Sequence, residues 1–280
     1  MKSLAHTLLK RPVWLYASVS ALAVVIMAAL SSLFAPQLQQ WEERLASRTW
    51  ALSDSSATER RVVVVDIDEK STQALGAWPW PRDRMAQLLN GLDAYGVNLK
   101  VVDVLFDGEQ NPAQDAKLVE ALQANKAPTV ISQLFALSPD AQVKSGQLAS
   151  ASSMAATAIT TCPAASTPAF GYMAAAPAFA QSSQAVGHIT PIVDSDGSIR
   201  RVPAVVCYEG NAYPALAVAA LSAATGAQPV FKTASGLVQS GQVLDVGGIQ
   251  IPVDAKGQLR VSYQMPRAGF VSVSAVDVIQ

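Results

Sequence analysis

The longest apolar run of the chain lies near its start and contains no charged residue. It extends from Val13 to Ala35 and reads VWLYASVSALAVVIMAALSSLFA. At about 1.5 Å of rise per residue, a helix of this length crosses a bilayer hydrocarbon core, which is about 30 Å thick. The run is preceded by basic residues and followed by acidic ones, a bias that favours a cytoplasmic N-terminus: Lys2, Lys10, Arg11, Glu42 and Glu43. We therefore predict a cytoplasmic segment 1–12, a transmembrane helix 13–35, and a remainder outside the cytoplasmic membrane.

Two other interpretations of this run stay open. A cleaved signal peptide has a shorter apolar region, of about 7–15 residues, and ends at a small-x-small site. Here Pro36 directly follows the candidate cleavage position, which makes that site a poor match. A buried core helix is the other alternative, although the run has no polar face. Because an anchor and a signal peptide both export the rest of the chain, the predicted export does not depend on choosing between them.

The next segment has apolar residues near one face of a predicted helix. This helix spans Gln37–Leu52 and continues from the membrane, and its apolar face carries Leu38, Trp41, Leu45 and Leu52. Packing against the exported domain and pairing with a second chain explain this face equally well. We assign 36–61 to a juxtamembrane helix and 62–280 to an extracytoplasmic domain.

Short apolar strands then alternate with amphipathic helices. The predicted elements are a strand Arg61–Ile67, a helix Pro81–Tyr95, a strand Val97–Phe106, a helix Asp115–Asn125 and a strand Thr129–Leu137. Strands and helices in this alternation imply right-handed crossovers and a mainly parallel sheet.

The regular pattern is lost between Asp140 and Gln181, where Ala, Ser, Thr and Pro dominate, and we expect irregular structure there. The regular pattern returns in a hairpin around an Asp-Gly turn, formed by Gly187–Val193 and Ile199–Tyr208. A helix Pro214–Thr225, a second turn Asp254–Gly257 and the start of another helix at Val276 follow. The predicted fold class is α/β (mixed α+β). It has a mainly parallel sheet with flanking helices and antiparallel hairpins, preceded by one transmembrane helix.

Charge and cysteine content narrow the possible partners. The net charge is −1 and the basic residues are scattered, which argues against nucleic acid. The two cysteines, Cys162 and Cys207, both lie in the exported part, where such a pair usually forms a disulfide. Two buried free thiols are the alternative. These cysteines and His188 lack the tight ligand pair of a zinc site, so we predict neither a metal nor a cofactor.

Two acidic motifs suggest chemistry that we weigh against simpler explanations. Asp66 and Asp68 end an apolar strand, as in phosphatases of the haloacid dehalogenase type. Those enzymes have Thr or Val four positions after the first Asp, where this chain has Lys70. Because of this mismatch, an exported metal-dependent phosphohydrolase using Asp66 and Asp68 is the alternative function and not the first choice. Asp194 and Asp196 resemble part of a calcium loop, but a hairpin turn explains them more simply.

A stiff aromatic loop, LGAWPWPR, follows the first strand and opens a helix. Ligand-binding groups gather at the carboxyl edge of parallel sheets. On that basis the candidate ligand-binding residues are Asp66, Asp68, Trp78, Trp80, Arg82, Asp103 and Asp107, with no catalytic residue among them. The competing interpretation is a self-satisfied network in which the carboxylates bind loop amides and pair with Arg82.

The segments VVVVDIDEKS, LGAWPWPR, VVDVLFD and GHITPIVDSDGSIRRVP, in this order and spacing, resemble the CHASE-two domain. This is the second type of extracellular sensory domain associated with cyclases and histidine kinases. The resemblance covers about residues 36–280, and it implies a non-enzymatic input module in a bacterial cytoplasmic (inner) membrane, with its bulk in the periplasm.

The same resemblance implies a cytoplasmic effector beyond these residues: a nucleotide cyclase, a cyclic-dinucleotide enzyme or a kinase. The family's closing strand and following helix are expected after Ile279, so we interpret the chain as an N-terminal fragment with an incomplete sensor domain. We expect a homodimer that responds to a small molecule or an envelope condition. A structural envelope protein without an effector is a further alternative.

Overall fold

The computed structural model describes residues 12–34, 37, 41, 45, 58–124, 127–148, 162–194, 196–234 and 241–280. The helices in this part are α1 Pro12–Leu33, α2 Glu69–Leu75, α3 Arg82–Ala94, α4 Pro112–Gln123, α5 Pro177–Ser182, α6 Leu216–Thr225 and α7 Ala275–Ile279. The strands are β1 Glu59–Asp66, β2 Lys100–Val102, β3 Thr129–Ala136, β4 Lys144–Ser145, β5 Thr167–Pro168, β6 Gly171–Met173, β7 Ala185–His188, β8 Ile192–Val193, β9 Ile199–Pro203, β10 Val205–Tyr208, β11 Asn211–Pro214, β12 Pro229–Ala234, β13 Gly241–Val246, β14 Ile249–Val253, β15 Gln258–Arg260 and β16 Phe270–Ser274.

The apolar run near the start forms α1, as predicted. Its 22 residues span about 33 Å at about 1.5 Å of rise per residue, and the described side chains from Leu15 to Phe34 are all exposed. By length and composition this helix could cross a membrane. Of the expected helix over Gln37–Leu52, only Gln37, Trp41 and Leu45 are described, each helical and exposed, and its other residues lie outside the described part, as does Ala35.

The first strand pairs with the last one. β1 and β16 run parallel, with Val63 opposite Val271 and Asp66 opposite Ser274. β1 begins at Glu59, so residues 59–61 are strand and not part of a juxtamembrane helix as expected. The reason is tertiary, because Glu59 lies opposite Phe270 in the β1–β16 pair, and this pairing overrides the helix propensity of Glu and Arg.

The central sheet is built around β3. This strand pairs in parallel with β2 and β7 and antiparallel with β6, which confirms a mixed sheet with parallel strands at its centre. β2 is shorter than the predicted strand Val97–Phe106. The chain leaves the sheet after Val102, and Phe106 turns into the core, where its carbonyl accepts a hydrogen bond from the backbone N–H of Ala176 at 2.9 Å.

The main core lies between this sheet and helices α3 and α4. Apolar residues at helical spacing put Leu89 of α3 and Leu118 and Leu122 of α4 at 1 % exposure or less. α4 begins at Pro112, three residues before the predicted start. Asn111 caps it by accepting hydrogen bonds from two backbone N–H groups, and proline suits the first helical turn.

The segment from Asp140 to Gln181 is more regular than expected. Its described residues include β4, β5, β6 and most of α5, while 149–161 lie outside the described part. Cys162 and Cys207 form a disulfide with a Cα–Cα distance of 5.6 Å, which confirms the pairing expected in an oxidising compartment.

The predicted hairpin around the Asp-Gly turn is also present. β8 and β9 pair antiparallel, and the turn is closed by a 2.9 Å hydrogen bond from Gly197 N–H to the carbonyl of Asp194. The chain bends at Ala204, so the predicted strand Ile199–Tyr208 is divided into β9 and β10, and β10 forms a second hairpin with β11. Helix α6 follows close to its predicted bounds.

A glycine in β7 lets α6 approach the sheet closely. A Cβ atom at Gly187 would lie 2.5 Å from Leu216 Cα and 2.9 Å from Ala219 Cβ. Real Cβ atoms do not approach backbone atoms this closely, so any larger residue would have to push α6 away from β7.

We predict that Gly187→Ala lowers the free energy of unfolding by about 1–3 kcal/mol, the usual cost of forcing extra atoms into a packed core. Urea denaturation of the full chain in detergent measures this. Ala217→Ser, on the exposed face of the same helix, is the control and should cost less than about 0.5 kcal/mol. Equal stability of Gly187→Ala and the unmodified chain would show that the approach is not tight.

Candidate functional site

The acidic pair at the end of β1 lies where the first and last strands meet. Asp68 caps α2: its Oδ1 accepts a hydrogen bond from the Ser71 backbone N–H at 2.9 Å. Its Oδ2 accepts a hydrogen bond from Ser274 Oγ at 2.5 Å. The hydrogen bonds from Ser274 and Ser71 lower the pKa of Asp68 to about 2. Asp66, the last residue of β1, is half-buried beside it.

Further contacts at this place attach the C-terminal helix. Ser71 Oγ accepts a hydrogen bond from the Val276 backbone N–H at 3.1 Å, and Lys70 Nζ pairs with Asp277 Oδ1 at 2.5 Å. We call these residues, Asp68, Lys70, Ser71, Ser274 and Asp277, the closing clamp. Both oxygens of Asp68 are engaged in it. Lys70 occupies the position where phosphatases of the haloacid dehalogenase type have Thr or Val, and it forms an ion pair with Asp277.

The two tryptophans of the aromatic loop have different environments. Trp80 is 2 % exposed within the main core, and its Nε1–H donates to the carbonyl of Gly76 at 2.8 Å. Trp78 is 44 % exposed and meets Trp80 edge to face, with 6.1 Å between ring centroids. Trp80 therefore fixes the loop, and of the two it is Trp78 that offers a surface to solvent.

Arg82, the first residue of α3, is a buried cation with few hydrogen bonds. It is 5 % exposed, and its guanidinium lies 4.9 Å from the ring centroid of Phe106 and 5.6 Å from that of Phe179. Its Nη2 donates to the carbonyl of Asp107 at 3.4 Å, while its buried Nε has no hydrogen-bond partner among the described residues. Burial lowers the pKa of Arg82, and the charges of Asp115 and Asp107 oppose that change.

Asp115, in the first turn of α4, is a neighbour of Arg82 that the sequence analysis did not select. It is 8 % exposed, and its Oδ2 accepts a hydrogen bond from the Gln110 backbone N–H at 2.9 Å. Its buried Oδ1 has no hydrogen-bond partner in the described part of the chain. The described contacts include no direct ion pair between Asp115 and Arg82. The sequence placed Asp115 at the start of a helix but gave no signal that this side chain would lie near Arg82.

The predicted site residues thus fall into separate local environments. Arg82 and Asp107 come together with Phe106, Asp115 and Phe179, and we call this group the Arg82 site. Asp107 contributes its backbone carbonyl there, and its side chain is exposed, as is that of Asp103. Asp68 belongs to the closing clamp. Ligand binding by the predicted residues stays a prediction.

The acidic turn between β8 and β9 is neutralised by its own arginines. Arg200 contacts Asp194 Oδ2 at 2.9 Å and Asp196 Oδ2 at 2.8 Å, and Arg201 contacts Asp194 Oδ1 at 3.1 Å. The hydrogen bonds from Arg200 hold the pKa of Asp196 well below its usual range. The turn thus carries balanced charges, which supports the hairpin interpretation over a calcium loop.

His188 is a core residue at the end of β7. It is 1 % exposed, and its Nδ1 accepts a hydrogen bond from the Thr190 backbone N–H at 3.3 Å. No described residue hydrogen-bonds to its buried Nε2. Burial lowers the pKa of His188 to about 3, so the ring is neutral at physiological pH. The described residues contain no group of three or more His, Cys, Asp or Glu side chains placed to hold a metal ion.

A sequence model of the CHASE2 domain matches residues 20–280, so the chain belongs to the CHASE2 family of extracellular sensory domains. This confirms the resemblance carried by the four sequence segments. No curated protein and no solved structure matches the chain significantly.

We predict that acidification destabilises the protein through His188. An unfolded histidine has a pKa of about 6.5, whereas in the folded protein it is about 3. The unfolded state therefore binds more protons between these values, and stability falls as pH drops from about 6.5, with a slope of up to about 1.4 kcal/mol per pH unit. Urea denaturation between pH 7 and pH 5, where few carboxylates titrate, measures it.

The matched variants are His188→Gln and His6→Gln, which together cover both histidines of the chain. His188→Gln should lose this component of the pH dependence whatever its stability at pH 7, and His6→Gln should retain it. The same slope in both variants would contradict the assignment.

Proposed function

We propose that this chain is the extracytoplasmic sensory input module of a membrane-anchored signal-transduction protein. Its effector, a cyclase or phosphodiesterase of nucleotides or cyclic dinucleotides, or a kinase, lies in the cytoplasm beyond these residues. Membership of the CHASE2 family is the observation that carries this proposal. α1 is the proposed anchor in a bacterial inner membrane, and the domain after it faces the periplasm.

The proposed mechanism is a choice between two packings of the domain. A ligand shifts such an equilibrium only by its differential affinity for the two states, so a binding site must exist. The Arg82 site, with Trp78 on the nearby loop surface, is the proposed location. A pair of chains in a homodimer would pass the change along the juxtamembrane segment and α1.

Helix α3 offers a physical link between this site and the closing clamp. It begins at Arg82, and further along it Gly91 lies against α7, where an added Cβ would come within 2.4 Å of the Val278 carbonyl oxygen. Such a tight contact leaves little room for α3 to move independently of α7. Rearrangement around Arg82 would therefore displace α7, which the clamp ties to the start of α2.

The proposed topology is tested with reporters fused after Gln280. Alkaline phosphatase, which folds only outside the cytoplasm, should be active, and green fluorescent protein, which fluoresces only when folded in the cytoplasm, should be dark. Deleting residues 1–34 should reverse both results. The fusion that keeps these residues should be found uncleaved in the membrane fraction. Cytoplasmic fluorescence of the full fusion would overturn the proposal, and a trimmed fusion recovered free of lipid would overturn the anchor.

The proposed signalling role is tested at the clamp, in the full-length protein with its own effector. Ser274→Ala removes the hydrogen bond to Asp68 and should change effector activity in isolated membranes at least about threefold, since a lost bond of about 1 kcal/mol shifts a two-state balance fivefold. Ser272→Ala, at an exposed position of the same strand, should leave the activity unchanged. Equal activities of the two variants would argue against transmission through the clamp.

A further inference from the structure

The Arg82 site contains two buried side chains of opposite charge that each have an unsatisfied polar atom. These atoms are Nε of Arg82 and Oδ1 of Asp115. Leaving a buried donor or acceptor unpaired costs about 1–3 kcal/mol, and more when the group is charged. Two such atoms with opposite requirements, one a donor and one an acceptor, indicate that a further group completes the site.

The surrounding structure keeps the two charges from closing on each other. Two aromatic rings and the Asp107 carbonyl hold Arg82, while the Gln110 backbone N–H holds Asp115. The same loop, 107–111, therefore supplies a contact to each charge. The loop residues are exposed, whereas the two unpaired atoms are buried, so a ligand reaches these atoms only if the loop moves aside.

The first turns of α3 and α4 lie side by side at this place. Lys117 Nζ and Asp83 Oδ2 are 3.8 Å apart, and these residues neighbour Asp115 and Arg82 on their helices. The start of α3 has no side-chain cap, so its N-terminal partial positive charge adds to that of the guanidinium. One side of the site therefore attracts a negative group, and Asp115 attracts a positive one.

The charge balance selects among small ligands. A simple anion would satisfy Arg82 but would bring its charge close to the carboxylates of Asp115 and Asp107. A simple amine would satisfy Asp115 but would face the guanidinium. A molecule that carries both an anionic and a cationic group satisfies both sides without a net change of charge.

We propose that the Arg82 site binds a small zwitterion of the amino-acid type. Its carboxylate accepts a hydrogen bond from Arg82 Nε, and its ammonium group donates to Asp115 Oδ1. The buried rings of Phe106 and Phe179 pack on the guanidinium and exclude water from that side of it. The inference rests on the proposed sensory function and names the class of ligand for it.

The test is a thermal-shift and calorimetric titration of the full chain in detergent with each protein amino acid singly. At least one should raise the melting temperature in a saturable way. The N-acetyl derivative of that amino acid, which lacks the ammonium group, and its amide, which lacks the carboxylate, should not. Asp115→Asn, which keeps an acceptor for the Gln110 N–H, should weaken binding at least about 30-fold, the effect of removing one partner of a buried charge pair.

Arg82→Lys should also weaken binding about 30-fold, because lysine keeps the charge but loses the planar donor. Glu120→Gln, at an exposed position of α4, should bind as the unmodified chain does. Failure of every amino acid to bind, equal binding of the N-acetyl derivative, or equal binding by Asp115→Asn would each overturn the proposal. If Asp115→Asn does not fold, the comparison of derivatives on the unmodified chain decides.

Failure of this inference is distinguishable from failure of the proposed function. If no amino acid binds but Ser274→Ala changes effector activity, the ligand class is wrong and the sensory function stands. If an amino acid binds but leaves effector activity in membranes unchanged, the site stands and the sensory function fails.

Discussion

The parallel pairing of β1 with β16 is the constraint on which the domain depends. Among the described strands, β16 is the partner of β1, and the next strand in sequence pairs with β3 instead. Through this pair Val65 and Val273 reach the main core, and α7 then covers α3 at Gly91. The closing clamp fastens the same junction with hydrogen bonds and an ion pair. β16 and α7 therefore contribute to the main core.

Pairs of opposite charges have two different arrangements in this domain. In the clamp and in the β8–β9 turn, opposite charges touch and satisfy one another, so these groups stabilise local structure. In the Arg82 site, opposite charges stay apart and keep unpaired atoms although both are buried. Because burying an unpaired charge is costly, such a site is stable only when something else contributes to it. This contrast is what separates the candidate ligand site from the other charged clusters.

Local patterns in the sequence predicted much of the fold. The apolar stripes of α3 and α4, the β-branched β3, the Asp-Gly turn and the cysteine pair each have a signature within a few residues. The partner of β1 has none, because a pairing between distant strands depends on the whole topology and not on neighbouring residues. Helix α2 was missed although Asp68 is a good N-cap, since its few residues lack an apolar period.

The candidate site was only partly predictable for similar reasons. Arginine is rarely buried, so nothing in the sequence indicates that Arg82 would lie between two phenylalanine rings. Phe106 was expected to be part of a strand, and Phe179 lies in a segment without a recognisable period. Asp115 was known only as the start of a helix. Of the candidates that the sequence suggested, Arg82 and the backbone carbonyl of Asp107 do come together.

Pairing of the first strand with the last also fixes the order of events during synthesis. A polypeptide emerges from its N-terminus, so β1 is released long before β16 exists. Until the final strand arrives, the edge of β1 keeps exposed backbone groups that could pair with another chain. Pairing of β1 therefore has to wait for β16, and a polypeptide interrupted before Phe270 would be left with an open edge prone to aggregation and proteolysis.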